Sequence, residues 1–158
     1  MTGVDAVVVA ADATAMADLG RRLARLLRAG DLVVLSGGLG AGKTTLTQGI
    51  GAGLRVRGPI TSPTFVIARG HPSLVAGPEL VHVDAYRLGD TLEVDDLDLD
   101  ASLADAVTVV EWGLGKVDLL AEDRLEISID GLDERTVTLV GVGPRWAEID
   151  LSVLTDLA

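Results

Sequence analysis

Hydrophobic positions fall in short blocks whose spacing changes along the chain. Ala6–Ala10 is an apolar run of strand length, and Asp12 or Thr14 can then cap a helix. Met16, Leu19, Leu23, Leu26 and Leu27 would share one face of that helix, and Gly30 would end it. The continuous apolar run 32–35 suits a strand buried on both faces of a parallel sheet. A helical pattern resumes over 44–50 and is expected to fade at Gly49, Gly51 and Gly53, ahead of a turn at Arg57, Gly58 and Pro59. Residues 65–68 and 80–84 read as strands separated by a loop at 71–78. An acidic, leucine-bearing helix is expected over 88–105, then a buried strand at 106–110. Arg124–Asp130 and Arg135–Val142 alternate with period two and form a hairpin; the tail 144–158 is assigned no element. Strands interleaved with helices, without repeat or linker, indicate one α/β domain spanning 1–158, with a mixed, mostly parallel central sheet flanked by helices and a C-terminal antiparallel hairpin.

Composition narrows the chemistry. A chain of 158 residues buries roughly 70% of its unfolded surface and needs no covalent staple. With no Cys and only His71 and His82, a cysteine nucleophile and the Cys/His zinc patterns are excluded. The formal charge of −11 opposes unaided binding to nucleic acid or anionic lipid, so any RNA connection is expected to run through a partner. Apolar runs of six residues or so fall far short of the roughly 20 that a membrane helix requires. The N-terminus has no basic stretch before its apolar run, so a cytoplasmic location without membrane attachment is expected. Of the 13 basic residues only Lys43 and Lys116 are lysines, and Asn is absent. A lysine here is therefore expected to be placed for chemistry.

Lys43 stands in Gly37-Gly38-Leu39-Gly40-Ala41-Gly42-Lys43-Thr44, which fits G-x-x-x-x-G-K-[ST] between an apolar strand and a helix. Glycines allow successive N–H groups of Gly38, Leu39, Gly40, Ala41 and Gly42 to turn around a β-phosphate. Lys43 then reaches the β- and γ-phosphates, Thr44 supplies a hydroxyl to Mg²⁺, and Thr45 continues the helix N-terminus. Such a P-loop site needs an acid at the end of a neighbouring strand, and Asp84 and Glu111 each close an apolar run. Thr44, Asp84 and Glu111 are expected to face a wet metal site, with Lys43, Asp84 and Glu111 as the catalytic groups.

Other features carry weaker signals. Asp96-Leu97-Asp98-Leu99-Asp100 begins like a calcium loop, but Ala101 and Val107 occupy the positions of its Gly and its bidentate Glu, so a solvated acidic segment is expected. Phe65, Tyr86 and Trp112 abut candidate segments, and Trp112, directly after Glu111, is expected beside the nucleotide. His82 falls on the strand face of Asp84, where a hydrogen-bonded core histidine is the ordinary role. Arg21, Arg25 and Arg28, with helical spacing and Arg22 adjacent, form either a solvated face or a docking patch. Without Asn the chain cannot carry the guanine motif N-K-x-D, which favours ATP over GTP. A small-molecule kinase would need a lid, and neither 71–78 nor the stretch after Glu111 has the length or arginines for one. A nucleotide-gated binding module is the other alternative.

Together these residues resemble the TsaE family. The resemblance rests on Gly30-Asp31 before the strand, the loop through Thr45, Thr61-Ser62-Pro63-Thr64-Phe65, His82-Val83-Asp84-Ala85-Tyr86-Arg87-Leu88, and Glu111-Trp112. It implies a P-loop ATPase acting with the transferase pair TsaB and TsaD in threonylcarbamoyl transfer to adenosine 37 of tRNAs that read ANN codons. By motif position it assigns phosphate and Mg²⁺ to Lys43 and Thr44, metal-site acids to Asp84 and Glu111, and a switch-like segment to Ser62 and Thr64. Gly38 stands where the family often has an acid, and the usual Pro before the Arg124 strand is missing; neither position is assigned chemistry.

Overall fold

The computed structural model describes residues 6–37, 42–56, 68–75, 77–84, 106–111, 123–131, 134–147, 149, 151 and 154. Seven strands form one sheet: β1 (Ala6–Ala10), β2 (Leu32–Gly37), β3 (Ala68–His71), β4 (Glu79–Asp84), β5 (Ala106–Glu111), β6 (Arg124–Asp130) and β7 (Arg135–Val142), in the order β1-β7-β6-β2-β5-β4-β3. β6, β2, β5 and β4 are mutually parallel, and β1 points the same way. Only β7 and β3 run against them. The hydropathy patterns follow from these positions. All six residues of β5 are buried, whereas β1 and β6 alternate because only one of their faces is covered.

Two helices of twelve residues, α1 (Ala13–Ala24) and α2 (Lys43–Leu54), lie against each other. Asp12 is the α1 cap, its Oδ1 accepting the Ala15 N–H at 2.8 Å. Met16, Leu19 and Leu23 join Leu46 and Ile50 of α2 over Val33, Leu35, Val109 and Ile127 of the sheet. The glycines of α2 do not end it. A Cβ on Gly49 would overlap the Ala17 carbonyl oxygen, one on Gly20 would overlap Leu46 O, and one on Gly53 would stand 2.5 Å from Ala24 Cβ. These glycines let the two helix backbones approach closely, a tertiary reason that the breaker reading omitted. α1 also ends earlier than its basic spacing suggested, at Ala24, so Arg28 lies beyond the helix; Arg21 pairs with Asp18 on the surface.

The strand expected at 65–68 is described only from Ala68, and it continues to His71 rather than ending, because β3 pairs antiparallel with β4. The helix expected over 88–105 lies outside the described residues. The tail contains a short helix, α3 (Pro144–Ala147), whose Trp146 is buried with Leu151 and Leu154 in the main core. Arg145 ties α3 to the start of β2: its Nε and Nη2 donate to Asp31 Oδ1 and Oδ2, both at 3.0 Å, and Nη2 also donates to Leu26 O at 2.6 Å. Among the described residues no helix is long and apolar enough to cross a membrane.

Candidate functional site

Parallel pairing brings three strand ends to one edge of the sheet. Leu35 of β2 is in register with Glu111 of β5, and Glu111 with Asp84 of β4, while β2 runs on to Gly37. The chain returns at Gly42, and α2 starts at Lys43, so the residues around the loop stand at the edge where β4 and β5 terminate.

Gly42 caps α2 with φ 109° and ψ 11°, a left-handed conformation that a side chain would strain, and a Cβ there would also stand 3.1 Å from Met16 Cε. No side chain caps this helix start. Its first N–H groups therefore point out of the helix without a capping acceptor, the arrangement that suits an anion. Lys43 is 6% exposed, and its Nζ donates to Gly37 O at 2.9 Å, folding the ammonium back to the end of β2. Thr44 and Thr45 are half-buried in the first turn. Thr47 donates its hydroxyl to Lys43 O at 2.8 Å, inside the helix rather than toward the edge.

Glu111 departs from the wet setting expected for it. It is 5% exposed, and its Oε2 lies 2.8 Å from Nε2 of His82, which is fully buried. A carboxylate only accepts, so the imidazole N–H donates. The two residues sit on neighbouring parallel strands, and the register His82↔Val109 with Asp84↔Glu111 puts them on one face of the sheet. The period-two relation of His82 to Asp84 was visible in the sequence, but its pairing with a residue 29 positions away was not.

Of the positions singled out from sequence, Gly42, Lys43, Thr44, Thr45, the backbone of Asp84 and Glu111 are brought to this edge. Gly38, Leu39, Gly40, Ala41 and Trp112 lie outside the described residues, as do Ser62, Thr64, Phe65, Tyr86 and Arg87. Among the described residues no three acidic, His or Cys side chains cluster as a metal-binding group. A cation at this edge would rest on one or two carboxylates, a hydroxyl and ligand oxygens, which is how Mg²⁺ is commonly held beside phosphates.

The family model described as "Threonylcarbamoyl adenosine biosynthesis protein TsaE" matches residues 10–137. The chain is 67% identical over 146 residues to the tRNA threonylcarbamoyladenosine biosynthesis protein TsaE of Streptomyces coelicolor, covering 88% of this chain and 99% of that protein. The Bacillus subtilis protein of the same name is 40% identical over 126 residues, covering 78% of this chain and 77% of that one. A crystal structure of Bacillus subtilis YdiB superposes with a TM-score of 0.73 at 30% identity, over 93% of this chain and 91% of that one. With a P-loop sequence leading into α2, an acid at the end of the adjoining strand and this extent of identity, the chain belongs to the TsaE family of threonylcarbamoyladenosine biosynthesis proteins.

Proposed function

We propose that this chain binds ATP with Mg²⁺ and hydrolyses it in support of threonylcarbamoyl transfer to adenosine 37 of tRNAs reading ANN codons, acting with the TsaB and TsaD transferase subunits in the cytoplasm. The observation that carries the reading is the meeting of Lys43 and Glu111 at one sheet edge, beside an uncapped helix start. The residues fit the ligand. The α2 N-terminus and the loop 38–42 receive the phosphate oxygens, and Lys43 exchanges Gly37 O for the β- and γ-phosphates. Thr44 offers its hydroxyl to the metal, and Trp112 lies beside the nucleotide. Glu111 and Asp84 supply the acids that hold the metal, directly or through its water, and orient the attacking water. Mg²⁺, when bound, neutralises charge on the phosphate oxygens.

The whole of 1–158 acts as one P-loop domain in this reading, and tRNA is reached through the transferase rather than by this chain alone. The charge of −11 supports the latter, because an acidic surface repels the phosphate backbone. Calorimetric titration with ATP and Mg²⁺ tests the reading: the chain should bind and Lys43→Ala should not. Equal binding by both would place the nucleotide away from this edge.

A further inference from the structure

The candidate site contains a buried residue for which the phosphate and metal roles leave no task. His82 has no exposed surface, and its Nδ1 has no hydrogen-bond partner among the described residues. Among the described residues its side-chain hydrogen bond is the 2.8 Å bond from Nε2 to Glu111 Oε2. Core packing alone asks for an apolar ring or a branched aliphatic here, since Leu80, Val107 and Val109 around the same strands are fully buried and satisfied. A polar imidazole is a costlier filler at such a position than an aliphatic side chain, so its value lies in the nitrogen that pairs with Glu111.

We propose that His82 is a positioning residue for ATP hydrolysis, fixing the Glu111 carboxylate through Oε2 so that Oε1 is the one oxygen left for the metal or its water. This rests on the nucleotide reading above. Glutamate has three side-chain torsions, and a carboxylate left to rotate would present its oxygens to the site in several arrangements. The ring cannot follow such motion, because it is fully buried on β4, which is paired on both sides and holds Glu111 of β5 in fixed parallel register. The donor therefore holds the acid before nucleotide arrives. Partners of this kind, one step removed from a metal, commonly change activity or metal affinity by about 10–100-fold when lost.

The test uses the full chain with its transferase partners and two variants. His82→Leu keeps bulk and removes the donor; His82→Gln keeps an N–H at similar reach. Expected for His82→Leu is a 10–100-fold loss in kcat or in the Mn²⁺ affinity of the protein–ADP complex, read by electron paramagnetic resonance, with KM for ATP within about twofold of the parent. His82→Gln should recover most of that loss. A folded His82→Leu with parental kcat and Mn²⁺ affinity overturns the proposal, as does a folded His82→Gln that is no better than His82→Leu.

A measurement on the unsubstituted chain covers the case in which His82→Leu does not fold. With two histidines in the sequence, the ring ¹⁵N–¹H spectrum is assigned by His71→Gln. The His82 Nε2–H signal should shift in Glu111→Gln and broaden when Mn²⁺–ADP binds. A signal indifferent to both overturns the proposal. Failure of the parent to bind ATP at all instead removes the nucleotide reading, so the two failures are distinguishable.

Discussion

Arg145 grips both carboxylate oxygens of Asp31 at 3.0 Å, at the end of β2 opposite Gly37. Asp31 is buried, and its Oδ2 also accepts the Arg28 N–H at 2.8 Å. This fork joins residues 114 positions apart and anchors the tail to β2, the strand that ends at Gly37. Removing the arginine leaves a buried carboxylate with one backbone donor. Arg145→Leu should lower stability by about 3–5 kcal/mol in urea unfolding, the usual result of breaking a buried pair. Lys should restore little, because one ammonium cannot reproduce the two parallel bonds. Parental stability for Arg145→Leu would show that the fork is only a surface contact.

The same geometry separates the two tryptophans. Trp146 is buried beneath the Arg145 guanidinium, 4.8 Å from its ring centroid, and so lies near the Asp31 end of β2. A strand of six residues at about 3.3 Å per residue sets that end roughly 20 Å from the loop end. Trp146 fluorescence should therefore ignore nucleotide, and Trp112 should report it. Titration of Trp112→Phe with ATP is expected to give a flat signal; a full response would put the nucleotide near Trp146.

Gly49→Ala sets two effects against each other. Alanine in a helix interior is worth up to about 1 kcal/mol over glycine, but here the new methyl would overlap the Ala17 carbonyl, which is backbone and cannot swing aside. Overpacking should win, with a net loss of about 1–3 kcal/mol, or a fall in melting temperature of roughly 2–4 °C per kcal/mol for a domain of this size. A rise in melting temperature would mean that α1 and α2 can separate freely.

These contacts mark what the sequence could and could not tell. Both arms of the hairpin, Arg124–Asp130 and Arg135–Val142, were legible because one covered face imposes strict alternation. β1, β2 and β5 were legible as apolar runs, and the cap of α1 as Asp12 or Thr14, of which the structure uses Asp12. The G-x-x-x-x-G-K-[ST] motif was legible because it is local, eight residues in fixed order, and α2 starts at its lysine. Illegible was whatever depends on distant partners. Gly49 and Gly53 look like helix breakers until the backbone of α1 is placed against them, and Glu111 looks like a wet acid until His82 is found beside it. Arg145 in an unassigned tail carried no local signal at all.

Burial also divides the variants at Glu111. Glu111→Ala leaves the His82 N–H unpaired in the core, so it should cost about 1–3 kcal/mol of stability as well as activity. Glu111→Gln retains an acceptor and should keep the fold while cutting Mg²⁺-dependent turnover. Thr44→Ala, at a half-buried position, should lose turnover with little change in melting. Paired melting curves and single-turnover assays check all three, and a Glu111→Gln protein with parental turnover would make Glu111 structural.

The central claim is that the chain is an ATPase whose turnover depends on the transferase. Arg145 is bound to Asp31 at the end of β2 opposite Gly37, away from Asp84 and Glu111. A transition-state arginine supplied in trans can raise turnover by about 10³–10⁵. The decisive measurement is the rate of ATP hydrolysis by the chain alone, with TsaB or TsaD singly, and with both, using Lys43→Ala as the control. Slow turnover alone and strong acceleration by the pair, abolished in Lys43→Ala, is the predicted result; rapid turnover that the pair leaves unchanged, or turnover that survives Lys43→Ala, would contradict it.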